Sequence, residues 1–197
     1  MTRRIFILSA VAFAFLLARQ WETRAIEHPP GMIVPEAPFQ GSVEASTFAI
    51  EDYQLTRKAA FDLRARVLST EPYYFRRESD LSPVDLALGW GVMSDQAVLD
   101  RIDITQGSRW YKTRYEFPAP ISDQQIIRNS SNMHMIPASS RIRKSLKKLR
   151  RGEIVRLHGF LVDVDHDSGW YWRTSMTRND TGAGACEIFY VEAVEVE

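Results

Sequence analysis

The sequence predicts an α+β domain, a strongly bent antiparallel sheet or small barrel with a few short helices, carried behind an N-terminal apolar helix. Three observations carry that expectation. An apolar run follows two arginines at the start of the chain. Phe61, Leu63, Ala65 and Val67 alternate with Asp62, Arg64 and Arg66, the period of a half-buried strand. The stretch from Ile154 to Asp165 is apolar on both faces and holds Gly159 at its middle, where a bulge or sharp bend is expected.

The first element follows Arg3 and Arg4. Ile5 to Ala18 is interrupted only by Ser9, the layout of an export signal. As a helix, these residues span about 21 Å, short of a hydrocarbon core of roughly 30 Å. Arg19 can snorkel and Trp21 can sit at the interface, which lengthens the usable span. Cleavage sites are poor: a cut after Ala18 puts Leu16 at the third position back, and a cut after Ala25 follows a stretch with Arg19, Trp21, Glu22 and Arg24. Residues 1–25 therefore read as an uncleaved signal anchor, in preference to a cleaved peptide, with residues 5–18 in the bilayer. Arg3, Arg4 and the terminal amine outweigh Arg19 and Arg24 slightly, so the domain is expected on the outer, periplasmic side of a bacterial inner membrane.

Residues 26–46 hold Pro29, Pro30, Pro35 and Pro38 with Gly31 and Gly41 and show no apolar period. Proline at this density favours semi-rigid extended backbone, and the segment reads as a spacer holding residues 47–197 off the lipid, with the short apolar stretch Met32-Ile33-Val34 able to lie against the domain. Within that domain, Phe48, Ile50 and Leu55 lean to strand. Ser82-Pro83 reads as the cap and first turn of a helix running into Val84–Leu88. Ser94-Asp95 caps a short helix towards Arg101, Trp110 to Phe117 alternates as a strand, and Ser122 opens a helix to Asn129. Asn129 to Ala138 is unusually polar and reads as a link that lines a cleft. Ser139-Ser140 cap a helix over 141–151 with the stripe Ile142, Leu146 and Leu149, closed by Gly152. After the long strand come a turn at 165–169, a returning strand with Trp170, Trp172, Thr174 and Met176 on one face, a second turn at 179–184, and a last strand from Cys186 to Val196.

Charge and cysteine content narrow the function. Lys plus Arg and Asp plus Glu are 25 each, so no global field recruits nucleic acid. The single cysteine excludes an intramolecular disulfide and a cysteine-rich metal site, and no cofactor is implied. Four local features remain. The helix over 141–151 carries Arg141, Arg143, Lys144, Lys147, Lys148, Arg150 and Arg151 with no acid, a patch suited to anionic lipid, a polyanion or an acidic protein partner. Asp163, Asp165 and Asp167 alternate as calcium ligands do, but glycine comes seventh and Thr174 twelfth, so a polar turn is the better account. Cys186 follows a glycine-rich turn that could hold an oxyanion, with His134 or His158 as its base. Trp170 and Trp172, joined by Trp90, Trp110 or Tyr171, could stack on sugars or bases, or form an ordinary core layer.

The glycine-bent strand followed by hairpins resembles small barrels of the oligonucleotide- and oligosaccharide-binding kind. The layout of N-terminal anchor, β-rich domain and late cysteine resembles a sortase. Sortases carry Thr-Leu-x-Thr-Cys and a following arginine, whereas this chain has Gly-Ala-Gly-Ala-Cys and no arginine after Cys186. The Ser-His-Gly-Cys of L,D-transpeptidases is also missing. Through Asp80–Trp90, Asn132–Pro137 and Trp170–Ser175 the chain is similar to single-pass bacterial envelope proteins with one small exported domain, which implies a location and carries over no catalytic residue. The expected function is a membrane-tethered binding or scaffolding module of the envelope, not an enzyme. Two other readings stay open: a cysteine-dependent hydrolase or transpeptidase using Cys186 with His134 or His158, and an oligosaccharide- or nucleic-acid-binding barrel using Trp170 and Trp172.

Overall fold

The computed structural model describes residues 24–197 apart from Arg76 and Ala183. The apolar run expected as an anchor lies outside the described residues. Among those described, no helix is long and apolar enough to cross a membrane.

The domain is α+β and strand-rich. Among the described residues, ten strands, β1 (Phe39–Gly41), β2 (Thr47–Ile50), β3 (Tyr53–Pro72), β4 (Val84–Gly89), β5 (Ile102–Gly107), β6 (Trp110–Tyr115), β7 (Ser130–Pro137), β8 (Ile154–His166), β9 (Tyr171–Trp172) and β10 (Glu187–Val196), alternate with four short helices. These are α1 (Arg77–Leu81), α2 (Gln96–Leu99), α3 (Asp123–Asn129) and α4 (Ser140–Leu146). β3 is the hub. Its first two thirds pair antiparallel with β8, from Tyr53↔His166 to Arg66↔Ile154, and its end pairs with β4, from Arg66↔Gly89 to Pro72↔Val84. Register shifts at 57/59 and 67/69 bend the strand so that it can serve both partners. From β4 the pairing passes to β7, then β10, then β8, and so returns to β3. All these contacts are antiparallel except one: β10 runs parallel to β7, which corrects the purely antiparallel expectation. β5 and β6 form a separate hairpin.

Gly159 sits where the expected irregularity occurs, but the extra residue is on the partner strand. β10 shifts register between Val191 and Ala193 opposite it, and a Cβ on Gly159 would lie 2.0 Å from the Tyr190 carbonyl oxygen. Only glycine lets the two backbones approach so closely.

Four expectations are corrected. Val84–Leu88 is a strand, not a helix: all six residues of β4 are buried, and burial on both faces erases the alternation that marks a strand. Asn129–Ala138 is no link, because β7 occupies it as a central strand whose polar Ser131, Asn132 and His134 are buried. The basic helix is shorter than 141–151. α4 ends at Leu146, with Lys147 as its C-cap, and the remaining basic residues follow in turns. The segment 26–46 does not stand off the domain. The Ile26 amide donates to the Arg151 carbonyl at 2.8 Å, His28 Nε2 lies 2.7 Å from the Gly152 carbonyl, and the Gly31 amide donates to Asp95 at 2.9 Å. Val34 is fully buried, and β1 pairs with β3. Proline-rich backbone is extended, and here its polar groups and apolar side chains find partners on the domain surface.

The main core gathers Phe61, Val67, Leu86, Leu88, Trp90, Met133, Phe189 and Val191, sealed at one end by Leu146 and Leu149. Burying each such side chain contributes roughly 1.5–3 kcal/mol. Trp90 belongs to this core, with its indole N–H donating to the Arg128 carbonyl at 3.1 Å, and so does not join the other tryptophans. A second cluster, with Tyr53, Leu55, Val162 and Ile188, supports Trp170 and Trp172 from below. A third lies under the β5–β6 hairpin.

Candidate functional site

Strand register brings the polar groups of one sheet face together. Asp85 on β4 is the cross-strand partner of His134 on β7, which in turn is opposite Ile188 on β10. Side chains alternate, so Asp85, Asn132 and His134 point to the same face, while Leu86 and Met133 fill the core on the other. Asp85 has no solvent exposure and His134 has 3%.

The β5–β6 hairpin closes over this face and delivers Arg109. Its two turn residues, Ser108 and Arg109, both have positive φ, 52° and 68°. That is the backbone of a tight two-residue hairpin turn, in which asparagine or glycine is the easy choice. An arginine there is strained and persists only where its contacts over-determine it. Those contacts are present. Arg109 Nη1 donates to Asp85 Oδ1 at 2.5 Å and to Ser82 Oγ at 3.2 Å, and Nη2 donates to the Ser82 carbonyl at 2.8 Å. Its backbone N–H donates to the Tyr73 hydroxyl at 2.8 Å, and the guanidinium lies 3.8 Å from the Tyr73 ring centroid. Burial and the nearby Asp85 carboxylate push the Tyr73 phenol up, so it stays neutral.

His134 Nδ1 is 3.0 Å from Asp85 Oδ2. The approach is out of line for a hydrogen bond, and neither atom has such a partner among the described residues. The imidazole lies against the Trp172 indole, centroids 4.4 Å apart, and Trp172 meets Trp170 at 5.9 Å. The result is a cavity of about 480 Å³, within the range of small-molecule sites. Tyr73, Phe75, Trp110, Trp170, Tyr171 and Trp172 supply aromatic wall, and Arg109, His134, Ser79 and Glu78 supply polar groups.

Cys186 lines the same cavity as His134. Its sulfur is 3.6 Å from Asn132 Nδ2, an amide whose oxygen accepts from Gln106 at 2.6 Å. Burial pushes the thiol up to about 11, opposite to what an activated nucleophile needs. His158 is elsewhere. It sits half-exposed on β8 with Nδ1 2.5 Å from Asp62, beside a smaller cavity with Phe39, Arg64 and Arg156. Of the two histidines expected as a base, the fold brings only His134 near the cysteine. Trp170 and Trp172 are partly buried, with the second core cluster beneath them and the cavity beside them.

The basic residues are not among those lining this cavity. Arg141, Lys144, Lys147, Lys148 and Arg151 are exposed, Lys147 sits 4.6 Å from the Tyr74 ring centroid, and Arg150 pairs with Glu153 at 3.0 Å. Arg143 donates to the Asp80 carbonyl. No cluster of three or more His, Cys, Asp or Glu side chains suited to a metal ion occurs among the described residues.

Sequence reasoning missed Asp85, Arg109 and Tyr73. A signal existed for the first: a carboxylate inside the apolar run Val84–Leu88 requires a buried partner. Arg109 gave none, because its role follows from a hairpin folding over a distant strand. The chain matches no protein-family model, no curated protein and no solved structure.

Proposed function

We propose that this chain is a membrane-tethered binding module of the bacterial envelope, and that its aromatic cavity takes a saccharide. In this reading residues 5–18 lie in the inner membrane, the domain is periplasmic, and the pairings that lead from β3 back to β3 form a small barrel with the ligand cavity on its outer face. The observation that carries the proposal is the combination of six aromatic side chains with a fixed polar floor of Arg109, Asp85 and His134. Aromatic faces stack on the apolar C–H faces of sugar rings, and prepositioned polar groups select hydroxyls.

A nucleic acid fits less well. Phosphate binding draws on cations that neutralise the backbone, and the two arginines at the cavity already face carboxylates, Arg109 on Asp85 and Arg173 on Asp165, each at 2.5 Å. The shared cavity favours one further reading, an enzyme using Cys186 and His134, but the raised thiol opposes it.

Titration of tryptophan fluorescence with soluble peptidoglycan fragments and chito-oligosaccharides tests the proposal, with single-stranded DNA as the control. We expect a saturable change with glycan and none with DNA. Trp172→Ala should weaken glycan binding about tenfold. Equal affinity in the variant, or no response to any glycan, overturns the proposal.

A further inference from the structure

We infer that the basic segment 141–151 is a docking surface for the anionic headgroups of the same membrane that tethers the chain. The inference rests on the anchoring just proposed and not on the saccharide. Its first support is the place where the chain joins the domain. The Ile26 amide is bonded to the Arg151 carbonyl, and His28 to the Gly152 carbonyl, so the tail meets the domain at the end of the basic segment. A Cβ on Gly152 would lie 1.9 Å from the Ile26 carbonyl oxygen, which shows how closely the two strands of backbone meet.

The second support is length. Only residues 19–25 separate the apolar run from this junction, and seven residues reach at most about 25 Å when fully extended. The headgroup layer itself takes up about 5–7 Å of that distance. Arg151 is thus held at most about 20 Å from the headgroup surface, and a tail that is not fully stretched brings it towards the screening length of about 8 Å at which surface charge is felt.

The third support is chemistry. Ile142, Leu146 and Leu149 turn the apolar side of the segment into the core, which leaves the basic side outward. Arg141, Lys144, Lys148 and Arg151 are exposed, and none pairs with an acid among the described residues. Beside them stands Tyr74, 66% exposed, with Lys147 over its ring. An exposed aromatic next to unpaired lysine and arginine suits the membrane–water boundary.

The test uses the full chain in lipid nanodiscs, of phosphatidylcholine alone or with about one third phosphatidylglycerol. Amide hydrogen exchange is followed across residues 141–151. We expect exchange about fivefold or more slower in the anionic discs, a difference that about 0.5 M NaCl removes. The variant carrying Arg141→Glu, Lys144→Glu, Lys148→Glu and Arg151→Glu should exchange alike in both discs. Equal exchange of the unaltered chain in the two compositions overturns the inference without recourse to any variant. Protection that appears only on adding inorganic polyphosphate also overturns it, in favour of a soluble polyanion. A chain that does not co-purify with neutral discs removes the anchor, and the docking with it, while leaving the saccharide titration to stand or fall alone.

Discussion

Asp85 is a carboxylate in the middle of a strand with no solvent exposure, and its two oxygens face different partners, Arg109 and His134. A buried charge left alone costs several kcal/mol, so the arginine is what makes the aspartate tolerable, and the aspartate is what holds a strained turn residue in place. Cys186 is the contrasting case. With its thiol raised to about 11, only about one molecule in ten thousand is thiolate at pH 7. Alkylation by iodoacetamide at neutral pH should therefore run at least tenfold slower than that of free cysteine. A rate equal to or above free cysteine would restore the nucleophile. Glu187, next along the chain, is 1% exposed, hydrogen-bonded by Ser131 and raised to about 7 by burial. Its folded value lies above the ordinary one, so the folded state prefers the proton. The stability this lends is complete below about pH 4.5 and is lost as pH rises through about 7. Glu187→Gln should flatten that part of the curve and, above pH 8, exceed the unaltered protein by roughly 3 kcal/mol or less in urea unfolding. A variant no more stable at pH 8 would show that Arg178, 4.0 Å away, already offsets the burial.

At the scale of elements, what was legible in the sequence was whatever local chemistry decides. Ser122 forms a capping box with Gln125, and Ser139 caps α4 by accepting from the Ile142 amide, each as its sequence position suggests. The long strand after Gly152 is likewise read from its own residues. β4 and β7 were not legible, because neighbours on both sides bury both faces and the period vanishes. The proline-rich segment misled for a different reason. Composition reported extended backbone correctly but said nothing about whether a groove awaited it. Gly152 is where that groove closes, at φ +93° and in contact with Ile26. Gly152→Ala would force the two apart, so residues 26–34 should become sensitive to limited proteolysis while β8 and β10 stay protected. Cleavage no faster than in the unaltered chain would show that the contact has room to adjust.

Across the whole molecule, the cavity and the basic segment are built by different parts of one framework. β4, β7 and the β5–β6 turn carry the polar floor, whereas the segment between β7 and β8 carries the positive charge. The basic segment is visible as a unit in the sequence because its residues are contiguous, whereas the cavity is not. His134, Trp172 and Cys186 were each singled out for separate reasons, and only the fold shows that they share one cavity with Arg109, which the buried Asp85 holds in place. The path of the first twenty residues of the domain has a mechanical consequence. They lie on the surface along β3 and the turn after α4, held in sequence by Ile26, His28, Gly31 and Val34. A pull on the chain at Arg24 therefore meets these few bonds one after another before it reaches β1 and the strands behind it. Under such a load the strap would give way bond by bond, a sacrificial fuse that yields before the strands lining the cavity are strained.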